Sequence, residues 1–198
     1  MTSNPRDDWL QLKPDAEVAL AELLDQLRAA PADSPNQDFL DSYLYAKRLM
    51  AEAMKAFLRI DLDGRCETFH ELRAKLAVEM RRRYSGRVPD VYLDVPYGSR
   101  LHEELFAVLL KRIGTTVPAA LLRIVTADSV HTERRTREFR ELGFDISYFT
   151  ENSIDVYRLD SLEIDTSMIP TLIANTAKRK GFRALPEAKL RVVLAEID

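Results

Sequence analysis

The chain has 198 residues, of which 46% are apolar and 31% are charged, a composition typical of a globular protein with one large or two small domains. No apolar run approaches the roughly 18–20 residues of a membrane span, and the acidic N-terminal stretch lacks the apolar segment of a secretory signal. The single cysteine, Cys66, excludes an internal disulfide and cannot form a zinc site by itself. From these features we expect a cytoplasmic protein.

The net charge of -3 does not favour nucleic-acid binding, but the charge is unevenly distributed. Residues 1–40 are acidic, whereas residues 73–87 and 178–191 are basic. Local patches matter more than the total charge for binding a polyanion. The candidate phosphate contacts in the basic stretches are Arg81, Arg82, Arg83, Lys178, Arg179, Lys180 and Arg183. Cations at helix ends also suit the helix dipole, and that structural interpretation remains open.

Two helices are predicted for the first third of the chain. Residues 1–13 form a lead-in, and Pro14 suits the first turn of a helix that ends at Pro31. The dipeptide Ser34-Pro35 is typical of the start of a long helix, which we expect over residues 36–58. Because this long helix is amphipathic, we consider it as the interface of a homodimer. A monomer with the same helix in its core fits the pattern equally well.

A third helix completes a helical N-terminal region, residues 1–84. Thr68 and Glu71 have the spacing of a capping box at its start. Its predicted buried stripe consists of Phe69, Leu72, Leu76 and Met80. Residues 85–98 are rich in proline and glycine, which predicts a connector between domains. Within it, Val91 and Leu93 alternate with polar neighbours, as in a short strand.

The most informative pattern lies in residues 99–165. The first predicted helix is capped by Ser99 and ends at Gly114, and the second is capped by Thr115 or Thr116 with Pro118 in its first turn. A turn at residues 126–128 leads into a third helix over residues 130–142, which ends at Gly143. A hairpin with strands at residues 144–148 and 154–159 follows. This is the order of elements in a winged helix-turn-helix, which inserts its recognition helix into the major groove of DNA.

The predicted recognition helix has an unusual composition. Its inward-facing residues are Thr132, Thr136, Phe139 and Leu142, and between them stand Arg134, Arg135, Arg137 and Arg140. Arginine binds guanine bidentately and also grips phosphate. Ser129, His131 and Thr132 lie at the N-terminal end, where such helices meet bases.

Two features favour a different interpretation. The acids Glu133, Glu138 and Glu141 have the helical spacing of ion pairs with the arginines, as on a solvated helix face. The predicted wing carries Glu151, Asp155 and Asp160, which would repel phosphate. A winged helix used as a protein-docking surface therefore remains an alternative.

The segment HTERRTREFRELGFDI, followed by YRLDSLEID, resembles the winged-helix module of bacterial restriction proteins, which often precedes an HNH nuclease domain. The resemblance covers residues near 110–165. It implies a role in defence against foreign DNA and contact with DNA through Ser129, His131, Thr132, Arg134, Arg135 and Arg137. The HNH nuclease itself is missing, because no CxxC pair and no histidine follow Asp165.

The sequence offers few candidates for a catalytic, metal-binding or cofactor-binding site. His70, His102 and His131 are not paired at metal-ligand spacing, and the six glycines form no phosphate-binding loop. A metal-dependent nuclease could draw only on acids as far apart as Asp90 and Glu187. We therefore expect no catalytic residue, no cofactor and no metal.

Taken together, these patterns predict a mostly α protein: a helical N-terminal region, a winged helix-turn-helix with a two-stranded β-hairpin wing over residues 99–165, and C-terminal helices over residues 166–198. The favoured hypothesis is a non-enzymatic, double-stranded DNA-binding protein in a bacterial defence or regulatory setting. The alternatives are a subunit of a nucleoprotein complex that docks a protein partner through the winged helix, and a metal-dependent nuclease.

Overall fold

The computed structural model describes residues 4–30, 36–129 and 131–179, together with residues 189, 191, 192 and 195. The protein is mostly helical and has one small antiparallel sheet. Its α-helices are α1 (Pro5–Ala29), α2 (Gln37–Arg59), α3 (Glu67–Tyr84), α4 (Arg100–Leu110), α5 (Ala119–Val125), α6 (Thr132–Glu141) and α7 (Ile169–Arg179), and its strands are β1 (Val117–Pro118), β2 (Phe144–Glu151) and β3 (Ile154–Ile164). Across the described ranges, no helix combines the length and the apolar character needed to cross a membrane.

The chain forms two compact units that are not consecutive in sequence. The first unit comprises residues 1–64 and 120–130, and the second comprises residues 65–119 and 131–198. Helix α3, which we placed in the N-terminal region, thus belongs to the second unit, whereas nearly all of α5 belongs to the first.

The first unit is built on an antiparallel pair of helices, α1 and α2. The ring of Trp9 near the start of α1 lies 5.0 Å from the ring of Phe57 near the end of α2. The fully buried side chains of the two helices are all alanines: Ala16, Ala19, Ala46, Ala53 and Ala56. Because the distance between packed helices depends on side-chain size at the contact, this small-residue seam lets α1 and α2 approach closely.

Helix α1 begins earlier than the sequence pattern predicts. It starts at Pro5, and the side chain of Asn4 accepts a hydrogen bond of 3.1 Å from the backbone N–H of Arg6. Pro14, predicted as the first-turn residue, lies inside the helix on its exposed side. One missing N–H is tolerated because residues on both sides of Pro14, among them Trp9, pack against α2.

Helices α2 and α3 lie close to their predicted ranges. The long helix over residues 36–58 is confirmed, with Asn36 accepting a hydrogen bond from the N–H of Asp38, while Ser34-Pro35 is outside the described residues. The predicted capping box of α3 is wrong, because the helix begins one residue before Thr68 and no side chain caps it. Instead, the N–H of Cys66 donates to the buried carboxylate of Glu103 at 2.7 Å. The four residues predicted for the buried stripe of α3 are all buried.

The core of the second unit is a cluster of four phenylalanine rings from four different elements. Phe69 of α3, Phe106 of α4, Phe139 of α6 and Phe144 of β2 are each at most 4% exposed. All six pairs of these rings are in contact, with centroid distances from 5.3 to 6.3 Å. Aromatic pairs at such distances stabilise a folded protein by more than the burial of their apolar area alone. This cluster therefore makes a large apolar contribution to the packing of α3, α4, α6 and β2.

The sheet has the strand order β1-β3-β2, and both pairings are antiparallel. The hairpin of β2 and β3 confirms the prediction, and Asn152 and Ser153 form its two-residue turn with φ of 50° and 64°. Strand β1 corrects the prediction of a helix start there: Pro118 pairs with Val156, which an edge position permits because proline has no N–H to donate. The strand proposed around Val91 is instead a short 3-10 helix.

Gly143 ends α6 as predicted. Its φ is +79°, a backbone conformation that side chains disfavour. Its carbonyl accepts a hydrogen bond of 2.8 Å from the N–H of Asp165, and a Cβ built on Gly143 would lie 2.3 Å from the carbonyl oxygen of Asp165. A glycine is therefore required where α6 turns into β2.

Substitution Ala19→Leu should destabilise the first unit, because Ala19 is 2% exposed in the seam and a leucine would force the helices apart. The expected loss is about 1–3 kcal/mol of unfolding free energy. The measurement is urea denaturation followed by far-UV circular dichroism. Ala21→Leu, at an exposed position of the same helix, is the matched control and should be nearly neutral. Equal losses for both variants would contradict the assigned seam.

Candidate nucleic-acid interface

Helix α6 has one buried and one exposed face. The residues predicted to face inward, Thr132, Thr136, Phe139 and Leu142, are all at most 3% exposed, which confirms that prediction. On the opposite face, Arg134, Arg137 and Arg140 recur every third residue and are exposed. At 1.5 Å of rise per residue, the three arginines span about 9 Å along the helix.

A buried carboxylate lies beneath these arginines. The side chain of Glu138 is 2% exposed and accepts hydrogen bonds from Arg134 Nε at 3.1 Å, Arg135 Nη1 at 3.0 Å and His102 Nε2 at 2.8 Å. The expected ion pairs between the acids and arginines of α6 are confirmed for Glu138 and, at 3.9 Å from Arg137, for Glu141. Glu138 is not part of a solvated face, however, because its partners enclose it.

The hydrogen bonds of Glu138 continue through His102 to Ser99. His102 is 2% exposed, and its Nδ1 lies 2.6 Å from the hydroxyl oxygen of Ser99. Because an ionised carboxylate only accepts, Nε2 of His102 must carry the proton for Glu138, and Nδ1 accepts from the hydroxyl of Ser99. Ser99 precedes α4 as predicted, but its hydroxyl does not cap the helix.

Burial and neighbouring charges set the protonation of this network. Burial lowers the pKa of His102 below 6.5, and this outweighs the hydrogen bond to Glu138, which acts in the opposite direction. Burial also acts to raise the pKa of Glu138, but the hydrogen bonds from His102 and Arg135 outweigh this effect and hold the pKa of the carboxyl group below its ordinary value of 4.5. A neutral imidazole therefore donates to an ionised carboxylate.

The last turn of α6 is held by the segment that precedes α4. The hydroxyl of Tyr97 donates to Glu141 at 2.6 Å. Arg73 of α3 anchors the same segment by donating to the carbonyl oxygens of Val95 and Pro96 at 2.8 and 3.0 Å. The position of α6 thus depends on α3, α4 and the segment between them.

The residues predicted to contact DNA do not share one environment. Ser129 is exposed and belongs to the first unit, where its N–H donates to the carbonyl of Thr126. His131 is exposed just before α6, whereas Thr132 is only 3% exposed. Arg135 is half-buried against Glu138. Arg134 and Arg137 are therefore the most accessible of the three arginines that the resemblance implies, with side chains 56% and 61% exposed. Arg140, which the resemblance does not single out, is exposed as well.

The first group of candidate phosphate contacts is engaged in ion pairs. Arg82 and Arg83 both bond Glu79, at 2.7 and 2.5 Å, and these hydrogen bonds lower the pKa of Glu79 from 4.5 to about 2. Arg83 also donates to the hydroxyl of Thr166 at 2.8 Å. Arg81 pairs with Asp94 at 3.5 Å and stays 56% exposed.

In the second group, Lys178 is exposed in α7 and Arg179 is the last residue of that helix. Lys180 and Arg183 lie outside the described residues, as does Glu187 of the nuclease alternative. Within the described ranges, no group of three His, Cys, Asp or Glu side chains could hold a metal ion.

The tip of the hairpin formed by β2 and β3, predicted as the wing, is acidic. Glu151 and Asp155 are exposed beside the turn, and they accept hydrogen bonds from Thr116 at 3.3 Å and from Thr150 at 3.0 Å. Asp160, further from the tip, is half-buried and accepts from Ser147 and Arg158. Asp145 and Glu163, at the other end of the hairpin, are also exposed, so the hairpin would repel phosphate at both ends.

Comparisons with known protein families, curated proteins and solved structures found no match to this chain. The residues of the site that sequence reasoning missed are His102 and the buried role of Glu138. The local signals were a Ser-x-x-His motif at a helix start and a glutamate three and four residues after two arginines. Neither signal shows that the two side chains meet.

Substitution Glu138→Gln should destabilise the protein, because it removes the negative charge that balances two arginines within a buried network. The expected loss is about 3 kcal/mol of unfolding free energy, measured by urea denaturation. Glu133→Gln, at an exposed position of the same helix, should change it by less than about 0.5 kcal/mol. A Glu138→Gln variant as stable as the parent would contradict the assigned role of the carboxylate.

Stability should fall as the pH drops through about 6.5, because burial lowers the pKa of His102 and the unfolded chain then binds the proton more readily. The lowered pKa of Glu138 acts in a separate window, since its contribution is lost only below pH 4.5. The measurement is the urea midpoint at about pH 7.5 and about pH 5.5. The variant His102→Gln, which keeps both hydrogen bonds without titrating, should show a smaller drop. Identical drops would assign the effect to other groups.

Proposed function

We propose that the chain binds double-stranded DNA through the outward face of α6. The observation that carries this proposal is the row of exposed arginines, Arg134, Arg137 and Arg140, on a helix whose other face is buried. Arginine suits both targets on DNA, since its guanidinium forms paired hydrogen bonds to guanine and to phosphate. The proposal therefore covers binding with or without a preferred sequence.

The order of elements supports the proposal. Along the chain, α4, β1, α5, α6, β2 and β3 follow one another as the elements of a winged helix do, and β1 pairs with β3. In such proteins the third helix is the one that enters the major groove. The resemblance of residues near 110–165 to restriction-protein modules adds a bacterial defence setting to the proposal.

The buried carboxylate supports it as well. Glu138 balances charge inside the protein and holds Arg134 and Arg135 by hydrogen bonds of 3.1 and 3.0 Å. Side chains that are already ordered lose less conformational entropy when a ligand binds. The more exposed Arg137 and Arg140 are then available to follow the contour of the DNA backbone.

A second candidate function is docking of a basic protein partner, as a subunit of a nucleoprotein complex. The observation that favours it is the exposed pair Glu151 and Asp155 at the tip of the wing, together with Glu133 on α6. These acids repel phosphate and attract lysine and arginine. In this case the protein has little affinity for bare DNA and co-purifies with its partner.

The test is fluorescence anisotropy with a labelled duplex of random sequence. Wild-type protein should bind, and its affinity should fall steeply between about 50 and 200 mM salt because counterions are released from the DNA. The variant Arg137→Ala with Arg140→Ala should bind at least about tenfold more weakly, and the slope of log affinity against log salt should decrease by about 2.

The matched control removes two arginines that are similarly exposed but lie elsewhere, Arg28→Ala with Arg65→Ala, whose side chains are 70% and 63% exposed. This control should bind like the wild type. Absence of binding at low salt, or equal losses in the two double variants, would overturn the proposed interface on α6.

A further inference from the structure

The hairpin of α1 and α2 leaves large apolar side chains uncovered where α1 ends and α2 begins. We call these six residues the hairpin patch. They are Leu20, Leu24 and Leu27 on α1, which are 42%, 46% and 57% exposed, and Leu40, Tyr43 and Leu44 on α2, which are 45%, 47% and 60% exposed.

Helix geometry places the six residues on one side of the hairpin. At 3.6 residues per turn, the patch residues are rotated from the middle of the alanine seam in the same sense, by roughly 50–110° in α1 and roughly 95–195° in α2, where Leu44 faces directly away from the seam. In two antiparallel helices, equal senses of rotation lead to the same side. Because Trp9 lies opposite Phe57, Leu24 is level with Ser42, so the two halves of the patch also match along the helix axis.

Charged residues and α5 bound the patch on the same side. Lys13 and Glu17 of α1 form an ion pair of 3.5 Å, and Lys47 of α2 pairs with Asp128 at 2.9 Å. Beyond Lys47, residues of α5 approach α2 across a cavity of about 330 Å³ that is lined by Met50, Ala51, Met54, Ala120 and Ile124 among others. Part of this side is thus covered by α5, whereas the six side chains of the patch remain 42–60% exposed.

The area of the patch fits an interface. At roughly 200 Å² for a fully exposed side chain of this size, the six residues expose roughly 600 Å². That is the upper end of what soluble monomers show as a single apolar patch. It also supplies the apolar core of a standard interface, which buries about 800 Å² on each partner with a polar rim.

We propose that the chain forms a homodimer in which two hairpin patches pack together as a four-helix bundle. A second copy offers the same apolar area, so a two-fold axis buries both patches at once and leaves no open surface for further growth. With the axis parallel to the helices, α1 of one copy packs on α2 of the other, and all neighbouring helices are antiparallel, as in many bundles.

The charges at the border of the patch fit the same arrangement. Glu17 of α1 is level with Leu49 of α2, which is two residues from Lys47. Glu17 and Lys47 have opposite charges, and both lie on the side of the hairpin that carries the patch. The two-fold axis brings Glu17 of each copy over Lys47 of the other. The complementary pairs fix the register of the dimer more than its affinity.

The experiment measures the mass of the full chain by sedimentation equilibrium at about 1–100 µM, and the expected result is twice 22.7 kDa. The variant Leu24→Glu with Leu44→Glu should raise the dimer Kd at least about 100-fold, because four carboxylates would enter an apolar interface. Far-UV circular dichroism checks that the helices remain.

The matched control is Val18→Glu with Tyr45→Glu, on the opposite side of the hairpin, where the two residues are 67% and 48% exposed. This control should remain a dimer. For the register, Glu17→Lys should weaken the dimer roughly fivefold, whereas Glu22→Lys, which is also on the opposite side, should not.

A wild-type monomer at about 100 µM overturns the proposal, as does a dimer that the patch variant leaves intact or that both double variants weaken equally. The inference does not rest on DNA binding, since mass is measured on the protein alone. A dimer without DNA affinity would overturn the proposed function and leave the dimer standing.

Discussion

The charge of Glu138 constrains the second unit more narrowly than any apolar contact does. A carboxylate that is 2% exposed is strongly destabilising unless hydrogen bonds and opposite charges replace its water. His102 of α4 and two arginines of α6 itself supply them. The phenylalanine cluster draws the same elements together without a preferred direction, whereas hydrogen bonds tolerate only a narrow range of distances and angles. The apolar cluster provides the attraction, and Glu138 provides the register between α4 and α6.

In the first unit, by contrast, the contact between the helices buries too little apolar area. Its alanine seam brings α1 and α2 close together, but alanine buries little apolar area, and the free energy gained scales with that area. The larger apolar side chains, such as Leu24 and Leu44, stand outside the seam. A hairpin built in this way gains little from its own contact, and its remaining stabilisation must come from surfaces that cover its outer side, as α5 does in part.

Sequence patterns located the elements whose buried face repeats at a regular spacing. Helix α3 was identified by the spacing of Phe69, Leu72, Leu76 and Met80, and the inner face of α6 by that of Thr136, Phe139 and Leu142. The spacing is informative because burial of one helix face makes buried residues recur with a period of 3.6 residues. Local start signals were less reliable: Pro14 looked like a helix start but lies within α1, since packing on α2 outweighs one lost hydrogen bond. Strand β1 escaped prediction because two residues carry no period, and its partner, Tyr157, is 40 positions away. The contact between His102 and Glu138, 36 positions apart, is likewise a property of the folded chain.

Burial also changes how the charge of α6 should be counted. From His131 to Gly143 the sequence has four arginines and three glutamates, an almost balanced helix. In the folded protein, Glu138 is buried and the side chain of Glu141 is only 17% exposed. The exposed charges of the helix are therefore Arg134, Arg137 and Arg140 against Glu133, so the outward face is more positive than the sequence count suggests. The tip of the wing remains negative through Glu151 and Asp155. Such a surface is polarised: a polyanion aligned along α6 gains attraction from the helix while it is pushed away from the wing tip. In the proposed complex, the distance between the DNA and the tip of the hairpin therefore decides whether the attraction of the α6 arginines exceeds the repulsion of Glu151 and Asp155.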